Sequence, residues 1–252
     1  MFEPHVHFIA PEKEDITIWR YMDFTKFVSL LDTGHLYFTR ADKLGDPFEG
    51  SLPRANATDG SMDSVIPEFA RATLRLGAED RRKANRAFVK CNAINCWHIN
   101  EGESAAMWKL YLKSDEGIAV RSTYARLRDS ITDRESVKIG VVKYLNYESD
   151  FFQTGNMMIP FLHKRKSYEH EREVRAIVTR FPIDGPEMGP WENPGILEYG
   201  VNVSVDLHKL IQSVQVAPSS QAWFLDLIKS VCQKYGFSFA VRQSEMSSEA
   251  LY

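Results

Sequence analysis

At 252 residues, 44% hydrophobic and 26% charged, the chain has the make-up of an ordinary globular protein, long enough to bury about three quarters of its unfolded surface. Its net charge of −3 argues against wholesale binding to nucleic acid or to an anionic membrane. No apolar run reaches membrane-spanning length, and the opening MFEPHVHFIAPEKED lacks the basic and apolar regions of a signal peptide, so a cytoplasmic protein is expected, with no membrane partner. Cys91, Cys96 and Cys232 form an odd set that suits a reducing compartment.

Residues 1–15 carry polar and proline punctuation and read as an irregular lead-in. Residues 16–22 (ITIWRYM) are β-branched and aromatic, which predicts a strand with Arg20 among bulky neighbours. Phe24, Phe27, Val28, Leu30 and Leu31 have helical spacing, Asp23 or Thr25 can cap that helix, and Gly34 stands at its C-cap. Leu36–Thr39 gives a second strand, and residues 42–50 (DKLGDPFEG) are turn chemistry. A connection over 51–62 and surface helices over 63–89 are expected next, with the one clear basic patch at Arg71–Lys90.

Cys91–His98 reads as a strand, Ala105–Leu112 as a helix capped by Ser104, Gly117–Thr123 as a strand and Tyr124–Ile131 as a helix. Val137–Tyr144 is another strand. Residues 181–200 hold four prolines and four glycines and form a long loop. Val201–Val205 and Ile211–Val216 are strands, Gln221–Tyr235 an amphipathic helix ending at Gly236, and Phe237–Arg242 a closing strand; residues 243–252 are a tail. Many short strands interspersed with helices, without a regular βαβ repeat, predict a single α+β domain over residues 16–242 with mostly antiparallel pairing.

The segment Ser167–Val178 (SYEHEREVRAIV) stands out, because alternating charges run into an apolar β-branched stretch. Read as a strand, it puts Glu169, Glu171, Glu173 and Arg175 on one face. Read as a helix, it is a salt-bridged surface. The apolar run that follows favours the strand and narrows the interest to Glu171 and Glu173, with Arg175 as their structural partner. Cys91, Cys96 and His98 fit no common zinc spacing, and no metal site is predicted. The motifs of serine hydrolases, P-loop NTPases and ordinary dinucleotide-binding folds are absent from the sequence.

Arg20-Tyr21, Leu36-Tyr37-Phe38, Asp46-Pro47-Phe48-Glu49, Cys96-Trp97-His98, Met107–Tyr111, Gly117–Thr123 and Glu171–Arg175, taken together, resemble the recurring blocks of the bacterial domain of unknown function DUF2971. The order of a basic residue on the opening strand, a Ser-Thr ending a middle strand and a later Glu-x-Glu is similar to that of the Arg, Ser-Thr-Ser, Glu-x-Glu class of ADP-ribosyltransferases. That resemblance implies an ADP-ribosyltransferase-like fold and NAD as substrate. It implies a transferase moving ADP-ribose to a macromolecular acceptor, nucleic acid or protein, or an NAD glycohydrolase, acting as a toxin or antiviral defence effector.

Under the same resemblance Arg20 holds a phosphate, with Tyr21 beside it, and Ser122 or Thr123 braces the nicotinamide ribose. Glu173 binds the ribose 2′-hydroxyl and stabilises the oxocarbenium-like charge. Glu171 positions or deprotonates the acceptor, and Trp108 or Tyr111 walls the site. Two other readings compete. One is a non-catalytic nucleic-acid- or protein-binding module using the basic 71–90 face; the other is a metal-dependent nuclease using Asp42, Asp46, Glu49 and the Glu-x-Glu pair.

Overall fold

The computed structural model describes residues 1–58, 86–111, 115–152, 156, 158–180 and 197–248. Strand β1 (Thr17–Asp23) leads into helix α1 (Phe24–Thr33) and strand β2 (His35–Arg40). The Asp23 carboxylate accepts from the Lys26 N–H at 2.8 Å, and Gly34, with φ +65°, closes the other end by donating its N–H to Leu30 O. Substituting Asp23 by Ala is expected to lower stability by about 1 kcal/mol, read as a fall in the thermal midpoint.

A short helix α2 (Arg54–Thr58) lies in the stretch expected to be a plain connection. Strand β3 (Asn92–Ile99), helix α3 (Ala105–Tyr111), strand β4 (Gly117–Thr123) and helix α4 (Tyr124–Ser130) follow. The expected strand over 137–144 is broken at Val142 into β5 (Val137–Val141) and β6 (Lys143–Leu145). Next come β7 (His163–Arg165), β8 (Glu173–Thr179), β9 (Gly200–Ser204), α5 (Leu207–Leu210), β10 (Ser213–Val216), α6 (Ala222–Lys234) and β11 (Ala240–Gln243). Most of the basic 71–90 patch and of the long loop expected over 181–200 lies outside the described residues.

The architecture is α+β. A nine-stranded sheet runs β11-β10-β4-β1-β3-β2-β9, and β8 pairs with both β3 and β5. Its pairings are antiparallel except β10 with β11. Alternation along the strands sends Ile18, Trp97, Val120, Val174 and Ala176 to one face, where α1, α4 and α6 cover them with Phe27, Leu30, Leu127, Phe224 and Ile228 to make the main core. On the opposite face two smaller clusters form. One holds Ile94, Ile177, Phe161 and Leu162, and the other Trp19, Tyr21, Met107, Trp108 and Ala119. Between them the same alternation places Cys96, His98, Glu173 and Arg175.

The sheet splits at its middle. β3 pairs on one edge with β1 through His98 and Ile99, and on that same edge with β2 through Ala93 and Ile94. The backbone between those points is served by side chains instead: Arg20 Nη1 donates to Cys96 O at 2.7 Å, and Asn95 Nδ2 donates to Tyr37 O at 2.9 Å. A buried strand edge must find such partners.

Residues 1–15 contain only an isolated bridge from Phe2 to Val137, yet Phe8 is buried and the Val141 N–H donates to Ile9 O, so this lead-in lies against β5. No described helix is long and apolar enough to cross a membrane.

Candidate active site

The charge-rich segment does not run straight. Lys166–Glu171 is a 3-10 turn, Arg172 takes the left-handed conformation at φ 40°, and the strand begins only at Glu173. The expected row of Glu169, Glu171, Glu173 and Arg175 is therefore corrected: Glu169 is exposed on the turn, and Glu171 meets Glu173 across the bend rather than along a strand. Tertiary partners favour the bend. The Glu173 N–H donates to the Tyr144 hydroxyl at 2.8 Å, the Arg172 carbonyl accepts from the Ile99 N–H, and the Glu171 carbonyl lies 2.6 Å from His98 Nδ1.

A cleft of about 140 Å³ opens here, lined by Cys96, Tyr111, Lys164, Glu171, Glu173 and Arg175, with Leu44, Gly45, Asp46 and Tyr168 at its sides. Beneath it Arg175, only 1% exposed, is saturated. Its Nε donates to Glu173 Oε2 at 2.6 Å, its Nη2 to Glu49 Oε2 at 2.9 Å, and its Nη1 to Glu49 and to Phe161 O. Lys164 bridges the two cleft carboxylates, with Nζ 2.9 Å from Glu173 Oε1 and in contact with Glu171 Oε2, while the Tyr168 ring centre lies 4.5 Å from the same nitrogen. At the rim the Arg165 guanidinium lies 4.0 Å from the Phe48 ring centre, near Tyr168, and donates to Asp46 at 2.8 Å.

These surroundings drive the two carboxyls apart. Burial pushes Glu171 up, the adjoining Glu173 carboxylate adds to that, and Lys164 only partly offsets it, leaving the group at about 7. Burial works the same way on Glu173, but the Arg175 charge, a hydrogen bond from Glu171 and the Lys164 charge outweigh it and hold the group well below the usual carboxylate range. One carboxyl is thus poised to exchange a proton near neutrality while its neighbour stays ionised, the division of labour that acid–base sites use. Burial opposes the charge of Lys164 too, yet the two carboxylates keep its ammonium protonated above the ordinary lysine range.

The structure brings together some of the sequence-predicted residues and separates others. Glu171, Glu173 and Tyr111 line the cleft. Arg20 stands behind its wall, bonded to the Cys96 carbonyl, with the Cys96 thiol and Tyr111 as its electrostatic neighbours. Ser122 and Thr123 lie elsewhere: the Ser122 hydroxyl is fully buried and donates to Leu210 O at 2.5 Å, and Thr123 caps α4 by accepting from the Arg126 N–H.

Trp108 is a core residue, edge-on to Tyr21 and donating to Glu103 at 2.8 Å. Tyr21 packs in the same cluster, and its hydroxyl accepts from the Ser104 N–H. Trp108 and Tyr21 pack against each other and cement α3 to the sheet, while Tyr111, the last residue of α3, lines the cleft. Trp108→Ala is expected to cost about 3–5 kcal/mol, whereas Tyr111→Ala, at a 45% exposed position, leaves the thermal midpoint nearly unchanged and weakens ligand binding in the cleft.

Sequence reasoning missed Lys164, Cys96 and Tyr168 as cleft residues and Glu49 as the second partner of Arg175. Lys164 hides in the basic run His163–Lys166, and Glu49 closes a turn that reads as loop chemistry. Of the acids proposed for a metal, Asp42 pairs with Arg40, Asp46 with Arg165 and Glu49 with Arg175, while Glu171 and Glu173 share Lys164. Among the described residues no group of His, Cys, Asp and Glu is arranged to hold a metal ion.

No family model matches the chain, and no curated protein matches it; the DUF2971 resemblance rests on its sequence blocks alone. Among solved structures the chain is similar to Thermus sp. 2.9 DarT in complex with ADP-ribosylated ssDNA. The TM-score is 0.41 and the identity 7%, over 95% of this chain and 98% of that one. A likeness so distant leaves activity to be argued from the chain's own residues.

Proposed function

We propose that the chain cleaves the bond between nicotinamide and ribose in NAD and passes ADP-ribose to an acceptor, a macromolecule or water. The observation that carries this reading is the carboxyl pair Glu171 and Glu173, held together in one cleft with opposite protonation tendencies. Cleaving a glycosidic bond builds positive charge on the sugar and requires a proton to leave the acceptor, and a fixed carboxylate beside a titrating one serves both needs. Glu173 meets the ribose 2′-hydroxyl and stabilises the developing charge. Glu171 takes the acceptor's proton.

Arg20 commits Nη1 to Cys96 and does not line the cleft, so holding a phosphate, a task that suits the guanidinium fork, requires it to turn its remaining donors towards the ligand. Tyr111 forms one wall. Ser122, Thr123, Trp108 and Tyr21 take no direct part. The volume of about 140 Å³ takes a ribose-sized group, and small-molecule pockets are usually a few hundred Å³, so the rest of the dinucleotide requires the rim formed by Arg165, Phe48 and Tyr168 to give way.

The experiment is nicotinamide release from NAD by the purified chain, alone and with single-stranded DNA, RNA and protein as acceptors. Single-stranded DNA enters the panel because it is the nucleic acid of the DarT complex. Release that requires Glu173 is expected, and no release with any of them overturns the proposal. As Glu171 must be ionised to act as base, the rate is expected to rise with pH through about 7, and that limb disappears in Glu171→Gln. The same group acts oppositely on stability. Between the ordinary carboxylate value and about 7 the folded chain keeps a proton that the unfolded chain has lost, so its contribution falls as pH rises through that window.

A further inference from the structure

We propose that Lys164 is the positioning residue of the cleft, holding the Glu171 and Glu173 carboxylates side by side and setting how the site's charge is shared between them. Its part in catalysis rests on the reading of the site as an NAD-cleaving centre; its part in the charge state of Glu171 does not.

Among the described residues, Glu49, Glu171 and Glu173 meet only two buried cations, Arg175 and Lys164. Arg175 is committed to Glu49 and Glu173 and makes no ion pair with Glu171. Lys164 is therefore the ammonium that ties Glu171 to the cluster, and the turn that carries Glu171 starts two residues after it. Its placement is itself fixed: β7 pairs with β6 through Tyr144 opposite Lys164, and the Tyr168 ring lies beside the ammonium.

The other groups around Glu171 do not substitute for it. From β8 comes Glu173 with Arg175 behind it; from β3 the His98 ring, which touches only the Glu171 carbonyl; from α3 and β6 the Tyr111 and Tyr144 hydroxyls; and from the same turn His170 and Arg172, both exposed. Two carboxylates this close repel, and an ammonium bridging both is what allows the second to ionise.

The test reads the Glu171 carboxyl directly, by carbon NMR of the full chain labelled in glutamate, with Glu171→Gln assigning the signal. In Lys164→Met the Glu171 midpoint is expected to rise by at least about 1 pH unit, and in Lys164→Arg, which keeps the charge, to return towards the wild-type position. The lower limb of the nicotinamide-release profile moves with it. A folded Lys164→Met chain whose Glu171 titrates as in the wild type overturns the proposal. Should Lys164→Met not fold, the wild-type chain decides: the Lys164 Nζ resonance steps at the Glu171 midpoint if the two are coupled, and the absence of a step overturns the proposal. A midpoint that moves in a chain releasing no nicotinamide sustains the role of Lys164 and removes the NAD reading instead.

Discussion

Replacing Arg175 by methionine is expected to destabilise the chain by about 3–5 kcal/mol, the cost of leaving buried charge without its partner. Arg175 is the only described cation paired with Glu49, and it also supplies the closest charged contact to Glu173. Both carboxylates are buried. Methionine fills much of the volume, so the loss is electrostatic rather than a cavity. The pH dependence separates the two causes. Arg175 holds Glu173 well below its ordinary value, so the stabilisation is present above the unfolded carboxylate value and disappears as pH falls through the folded one. Urea unfolding is expected to show a large deficit for Arg175→Met at neutral pH that narrows in acid, whereas a packing defect stays constant.

Glu173→Gln is expected to reduce nicotinamide release by about 10²–10³-fold, the range found when one preorganised electrostatic stabiliser is removed. The glutamine keeps the shape and a hydrogen-bonding oxygen but gives up the charge opposite the forming cation. Arg175 retains Glu49, and Lys164 retains Glu171, so the fold survives with a lowered thermal midpoint. A folded Glu173→Gln chain that keeps full activity would remove Glu173 from the chemistry. Glu171→Gln is expected to act differently, retaining NAD binding and losing the proton-dependent limb.

Much of the fold was legible because its signals are local. The strand, helix, glycine, strand opening follows from Asp23, the spacing of Phe27, Leu30 and Leu31, and Gly34, and the structure has each at its expected place. What the sequence hid is tertiary. Glu49 and Arg175 stand 126 positions apart, and nothing in the turn around Pro47 announces that its glutamate turns inward. Ser122 and Thr123 matched a pattern, but a hydroxyl at a strand-to-helix junction has a local use, and here Thr123 caps while Ser122 secures Leu210. The charge run misled in a related way. Alternation gives the faces of a strand only once the strand has begun, and the left-handed Arg172 delays that start to Glu173.

In the proposed reaction Glu173 meets the ribose of NAD in this cleft. A crystal structure of Glu171→Gln soaked with NAD tests it most directly. The nicotinamide ribose is expected in the cleft, its 2′-hydroxyl within hydrogen-bond distance of the Glu173 carboxylate, and the Lys164 ammonium moved off Oε1. NAD at saturating concentration that binds away from the cleft, or not at all, with Lys164 still on Glu173, contradicts it.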